Sequence, residues 1–195
     1  AERKVNNLMN TKTKKLSTVS MVLCGMFAAL VAIGAFIQIP VPYMDYFTLQ
    51  FFFVLLAGLI LGADKGAISV GCYVLLGLVG VPIFAAGGGI GYIFRPSFGY
   101  LVGFIVSAYV TGKVCEKLKA SYKNYLLACL AGFVVTYAIG IVYKFIILNF
   151  YAHTPATLGV IFLSCFPLDM PGDFVLCLLA AGVGLRMRKS GFYLS

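Results

Sequence analysis

The sequence predicts an all-α integral membrane protein, a compact bundle of six transmembrane helices with both termini in the cytoplasm. Three observations carry this. Of 195 residues, 62% are hydrophobic and only 11% are charged, against about 25% charged in a soluble domain. Several windows run 17 residues or more without a charge, and about 20 apolar residues span a bilayer core. The basic residues gather in alternate connectors, as a positive-inside topology requires. A membrane β-barrel would alternate in polarity over segments of about 10 residues. These windows are apolar all round, so helices are predicted.

Helix one is predicted from Thr18 to Ile39, stopped by Pro40 and Pro42. Helix two runs from Phe47 to Leu61, and Gly62-Ala63-Asp64-Lys65-Gly66 turns the chain into a third helix ending near Leu78. The stretch GVPIFAAGGGIGYIFRPS is too rich in Gly and Pro to be regular helix throughout. Helix four spans Phe98 to Gly112, a polar loop covers Lys113 to Asn124, and helix five spans Tyr125 to Asn149. A connector with three prolines, placed to hold a short interfacial helix, leads to helix six from Gly172 to Arg188. The predicted organisation is a cytoplasmic tail over residues 1–17, with 1–8 an expression remnant ahead of Met9. A six-helix transmembrane domain over 18–188 follows, then a cytoplasmic tail over 189–195.

With six helices, 13 of the 15 cations fall on one side: the two tails, Lys65, and the run Lys113, Lys117, Lys119 and Lys123. The net charge of +9 therefore reports topology in a lipid bilayer, not nucleic-acid binding. Arg95 and Lys144 are the two exceptions, and with Asp173 they converge on the opposite, outer half, where Asp45 and Asp169 also fall. Ionisable groups at membrane depth are costly and mark a site or a partner pair.

Six cysteines lack C-x-x-C spacing and a histidine cluster, so neither a disulfide framework nor a zinc site is expected. His153 is a lone loop histidine without an assigned role. No catalytic constellation and no Walker A motif occurs, so the chain is not read as an enzyme and brings no ATPase of its own. Gly25, Ala28, Ala32 and Ala35 share one face of helix one, suited to packing inside the bundle or to docking a partner subunit. Gly58, Gly62 and Gly66 are read as internal packing or turn. The glycine-rich third loop, with Gly88 and Gly89, is either a ligand-lining wall or a plain connector. Tyr92, Phe94, Phe98 and Tyr100 surround Arg95, which suits either an interfacial aromatic belt or the capture of an organic anion.

Three segments now carry a resemblance: VPYMDYFTLQFFFVLLAGLILGADKGAISVGCYVLLGLVGVPIFAAGGG, RPSFGYLVGF and FPLDMPGDFVL. From about Val22 to Ala181 the chain resembles the BioY family, the biotin-specific substrate-binding subunits (S components) of energy-coupling factor (ECF) vitamin transporters. Arg95 and Ser97 stand where the family typically has Gly and Thr, and Leu176 where it tends to have Lys. The resemblance implies high-affinity biotin capture in an outward-side cavity. It also implies partnership with an ECF transmembrane coupling subunit and two cytoplasmic ATPase subunits, and no cofactor other than biotin as transported ligand. The stripe on helix one then looks like the docking face. Biotin's chemistry assigns Asp173 to the ureido N–H groups, Gln50 and Tyr143 to further polar contacts, and Phe53 and Tyr92 to apolar walls. Arg95 or Lys144 is left for the carboxylate. The rival reading is a stand-alone facilitator or proton-linked carrier, which would normally show inverted repeats or a carboxylate relay.

Overall fold

A computed structural model describes residues 17–39, 47–152, 156–165 and 169–191. Helix α1 spans Thr18–Phe36 and opens on Ser17, whose side chain accepts from the Ser20 N–H at 3.2 Å. It ends three residues before the predicted stop, because Gln38–Ile39 (β1) pairs antiparallel with Phe47–Thr48 (β2) in a short hairpin. The predicted loop residue Asp45 and the helix-stopping Pro40 and Pro42 lie outside the described residues. Helix α2, Gln50–Leu61, is divided from α3, Ala63–Val79, by Gly62 alone. Gly62 has φ +83°, a conformation only glycine adopts without strain. A 3₁₀ turn, Ile90–Phe94, precedes α4, Phe98–Lys117. Helix α5, Tyr122–Ile146, finishes in a π-helical turn, Ile147–Tyr151. The predicted short connector helix is present as α6, Leu158–Cys165, and α7 runs Asp169–Lys189 with Pro171 in its first turn, where proline is tolerated.

Helices α4 and α7 are longer than predicted. The polar residues Lys113, Lys117 and Lys123 sit on helix ends instead of in a loop, because a helix leaving the apolar region carries its last turn into polar surroundings. Among the described residues, four helices are long and apolar enough to cross a membrane: α1, α4, α5 with its π turn, and α7. Helix α2 is a shorter apolar helix of 12 residues, buried at all but two positions.

Helices α2, α4 and α5 approach through small residues. On α4, Gly99, Gly103, Ser107 and Thr111 recur every four residues, as do Ala128, Gly132, Thr136 and Gly140 on α5, and all are buried. A Cβ added at Gly132 would lie 2.6 Å from Ser107 Oγ, at Gly103 3.0 Å from the Thr136 carbonyl, and at Gly58 2.5 Å from the Ala108 carbonyl. Lipid tails are as apolar as leucine, so helix association depends on this close fit more than on apolar burial. The hydroxyls of Ser107, Thr111 and Thr136 find no conventional partner. Those of Ser107 and Thr111 press on Gly132, where Cα–H···O contacts are the available compensation.

The small-residue stripe of α1 is divided. Ala28 and Ala35 are buried in the bundle, whereas Gly25 is exposed and Ala32 half-buried. The four do not form one free face, because α1 is wrapped by α2 and α3 along the side bearing Ala28, Val31 and Ala35.

Two polar contacts tie the basic end. Glu116 Oε1 accepts the Ala63 N–H at 2.8 Å, capping α3 from α4. The Arg188 guanidinium donates to the Tyr125 hydroxyl at 3.0 Å, joining α7 to α5.

Candidate functional site

At the end opposite those basic residues the helices enclose an open cavity of ≈ 810 Å³ of empty space, counted out to its solvent-facing mouth. The first turns of α2, α4 and α7, the last turns of α5, the hairpin and the third loop all contribute to it. Local sequence explains the mouth. Phe47 of β2 lies on Gly172 of α7, a position where any Cβ would collide with its ring. The third loop is knitted to its neighbours by the Gly89 N–H donating to the Gly77 carbonyl at 2.7 Å and by the Tyr73 hydroxyl donating to the Ile83 carbonyl at 3.1 Å.

The cavity wall is aromatic. Phe51 and Phe104 stack with centroids 5.8 Å apart, and Tyr137 packs between Phe133 at 4.7 Å and Tyr100 at 5.8 Å. Tyr92 lies against Phe84 at 4.6 Å. Set in this wall are the described charged residues Asp169, Asp173 and Lys144, together with Gln50, Thr48 and Ser97. The Tyr137 hydroxyl donates to Asp173 Oδ2 at 2.8 Å. Gln50 is 3% exposed, and its Nε2 makes no hydrogen bond of conventional geometry, although the Tyr73 hydroxyl lies beside the side chain. A buried amide donor without a well-aligned acceptor costs free energy until a better-placed one arrives. Lys144 stands two helical turns beyond Tyr137 on α5, about 10 Å nearer the mouth at 1.5 Å rise per residue.

Of the residues singled out in the sequence, the fold gathers Asp173, Lys144, Gln50 and Tyr92 in one cavity. Others stand elsewhere. Arg95 is exposed and lies over the outer face of Tyr92, 5.3 Å from the ring centroid. Phe53 faces α1, against Gly34, and pairs edge-on with Phe52. Gly88 is exposed, and Gly89 spends its positive φ on folding the loop back onto α3. Tyr143 packs on Gly99 and donates its hydroxyl to the Ile93 carbonyl, so it anchors the loop. The glycines are consumed by loop geometry, and the charge of Arg95 by the aromatic surface beneath it. In the sequence Tyr137 and Phe104 carry no signal, Tyr100 is named only among the aromatics around Arg95, and Asp169 only among the outer carboxylates. Asp169 carries the further signal of a carboxylate one helical turn before Asp173.

Among the described residues the cavity holds no nucleophile–base pair. It can hold a ligand with an apolar body, N–H groups for Asp173, an acceptor for Gln50 and an anionic end for Lys144. A membrane helical bundle with such a cavity has the architecture of a solute-binding transport protein. Comparison with known proteins makes this specific. Residues 9–191 match the BioY family. The chain is 40% identical over 177 residues to the "Probable biotin transporter BioY" of Lysinibacillus sphaericus, covering 90% of each. It is 38% identical over 173 residues to the "Biotin transporter BioY" of Thermotoga maritima, covering 87% of this chain and 95% of that one. Its fold superposes with a TM-score of 0.80 on a crystal structure of the S-component for biotin from an ECF-type ABC transporter, at 25% identity over 94% of this chain and 97% of the other. The chain belongs to the BioY family.

Proposed function

We propose that this chain is the biotin-binding S component of an ATP-driven ECF uptake transporter. It captures biotin in the cavity between α2, α4, α5 and α7. The observation that carries the reading is the presence in that cavity of a tyrosine-bound carboxylate, Asp173, together with a buried amide donor, Gln50 Nε2, that makes no well-aligned hydrogen bond within the protein. Together they match the N–H groups and the carbonyl of a cyclic urea. Lys144, closer to the mouth, suits the carboxylate at the far end of the ligand. Family membership and the names carried by its relatives support the choice of biotin.

In this reading α1, α2, α3, α4, α5 and α7 each cross the membrane, with both termini in the cytoplasm and the cavity facing outward. The alternating direction of the six helices supports it, since Lys65, Lys113, Lys117, Lys123 and Arg188 gather at one end and the cavity opens at the other. An ECF transmembrane coupling subunit and two cytoplasmic ATPase subunits supply the energy. The docking face on α1 is then Gly25 and Ala32, joined by the exposed Ala29.

Calorimetry of the purified chain, without ATPases, tests the ligand. Biotin binds, and Asp173→Asn weakens it by about ten- to a hundredfold. A folded chain that ignores biotin overturns the assignment. Assembly with an ATPase separates the S component from a carrier acting alone, and impermeant thiol labelling of a cysteine placed at Lys119 from the outside would overturn the topology.

A further inference from the structure

Resting on the biotin reading, we infer that Tyr137 is a positioning residue, one that presents the Asp173 carboxylate to the ligand's N–H groups. An aspartate in the first turns of a helix can rotate about two side-chain torsions, and an open cavity does little to hold it. Tyr137 supplies the restraint. It is 5% exposed, wedged between Phe133 and Tyr100 with ring centroids 4.7 and 5.8 Å away. The edge-on contact with Tyr100 and the tilted contact with Phe133 restrict its ring, and with it the position of the hydroxyl. That position is 2.8 Å from Asp173 Oδ2. The room for this arrangement is built into the backbone. Tyr100 lies on Gly140 of α5, less than one helical turn from Tyr137, where any larger residue would displace it.

One carboxylate oxygen is thereby engaged by a fixed donor, and Oδ1 is left to accept from the ligand. A charge-assisted hydrogen bond loses strength steeply when its acceptor is misaligned. The contribution of Tyr137 is therefore made through Asp173 and disappears with it. The alternative is a purely structural tie between α5 and α7, of the kind Cys177 makes one turn deeper by donating to the Cys129 carbonyl. That role would lower stability without depending on the ligand.

A double-mutant cycle on the full chain in detergent distinguishes the two, with biotin as titrant and thermal melting recorded alongside. Tyr137→Phe keeps the packed ring and removes only the hydroxyl. It should weaken biotin binding roughly tenfold in the Asp173 protein and less than about twofold in the Asp173→Ala background, with the melting temperature little changed. Equal weakening in both backgrounds, or none in either, overturns the inference. Should Tyr137→Phe fail to fold, fluorination of the Tyr137 ring, which strengthens the hydroxyl donor at constant shape, must change affinity only where Asp173 is present. A wild-type chain that binds no biotin overturns the functional reading itself, whereas a binding wild type with additive variants overturns only the role of Tyr137.

Discussion

The two ends of the bundle use the same helices in opposite ways. Toward the basic end, α2, α4 and α5 close on one another through Gly58, Gly112, Gly132 and the small residues beside them, until backbone meets backbone. There Glu116 caps α3 and Ser69 donates to the Cys24 carbonyl at 2.6 Å, while the Ser107 and Thr111 hydroxyls are pressed against Gly132. Toward the cavity end, aromatic rings fill the space over the glycines, with Tyr143 on Gly99 and Tyr100 on Gly140, and Gln50 Nε2 makes no well-aligned hydrogen bond. A membrane bundle can thus be rigid and receptive at once. Small residues weld one end, and aromatic spacers hold the other open for ligand polarity.

This contrast is most severely tested at Gly112, where an added Cβ would sit 2.6 Å from the Ala63 Cα. Backbone cannot rotate aside, so Gly112→Leu should cost at least about 3 kcal/mol and leave little folded protein by thermal melting. At the cavity end the same loss of fit should be far milder for folding and visible in binding. Lys144→Met should leave the melting temperature unchanged but remove discrimination between biotin and biotin amide, an effect of about 1–2 kcal/mol read by competition binding. Arg95→Ala, outside the cavity, should change neither affinity by more than about twofold. A result the other way round would move the anion-binding cation from α5 to the third loop.

Smaller effects sharpen the comparison. Glu116→Ala removes the cap that α4 provides to α3 and should cost about 1 kcal/mol, measured by melting, with biotin affinity intact. The smallest effect belongs to Gly25, where an added Cβ meets nothing within 4 Å. Gly25→Ala should leave stability unchanged to within about 0.5 kcal/mol, so glycine at this position is not required by the bundle. Loss of stability in that variant would show that the exposed face of α1 is occupied within the monomer.

The sequence by itself determined the membrane class, the helical content and the segregation of cations to one end. These follow from local composition: a run of apolar residues has few ways to satisfy its backbone in lipid, whatever its neighbours do. It also marked Asp173 and Lys144, because a charge inside an apolar window is conspicuous without any fold. Only the tertiary structure decided which flagged residues meet. Arg95 and Lys144 were equivalent as stray cations, and the fold turned one onto the surface of Tyr92 and the other into the cavity. Tyr137 was one aromatic among many until α5 brought its hydroxyl to Asp173. The α1 stripe, at steps of three and four, and the α4–α5 rows, at steps of four, each mark one helical face, yet Gly25 of the stripe meets nothing within 4 Å while Gly103 of the rows meets the Thr136 backbone. Spacing along one helix fixes a face, but which surface that face meets depends on the placement of every other helix, and no local pattern encodes that.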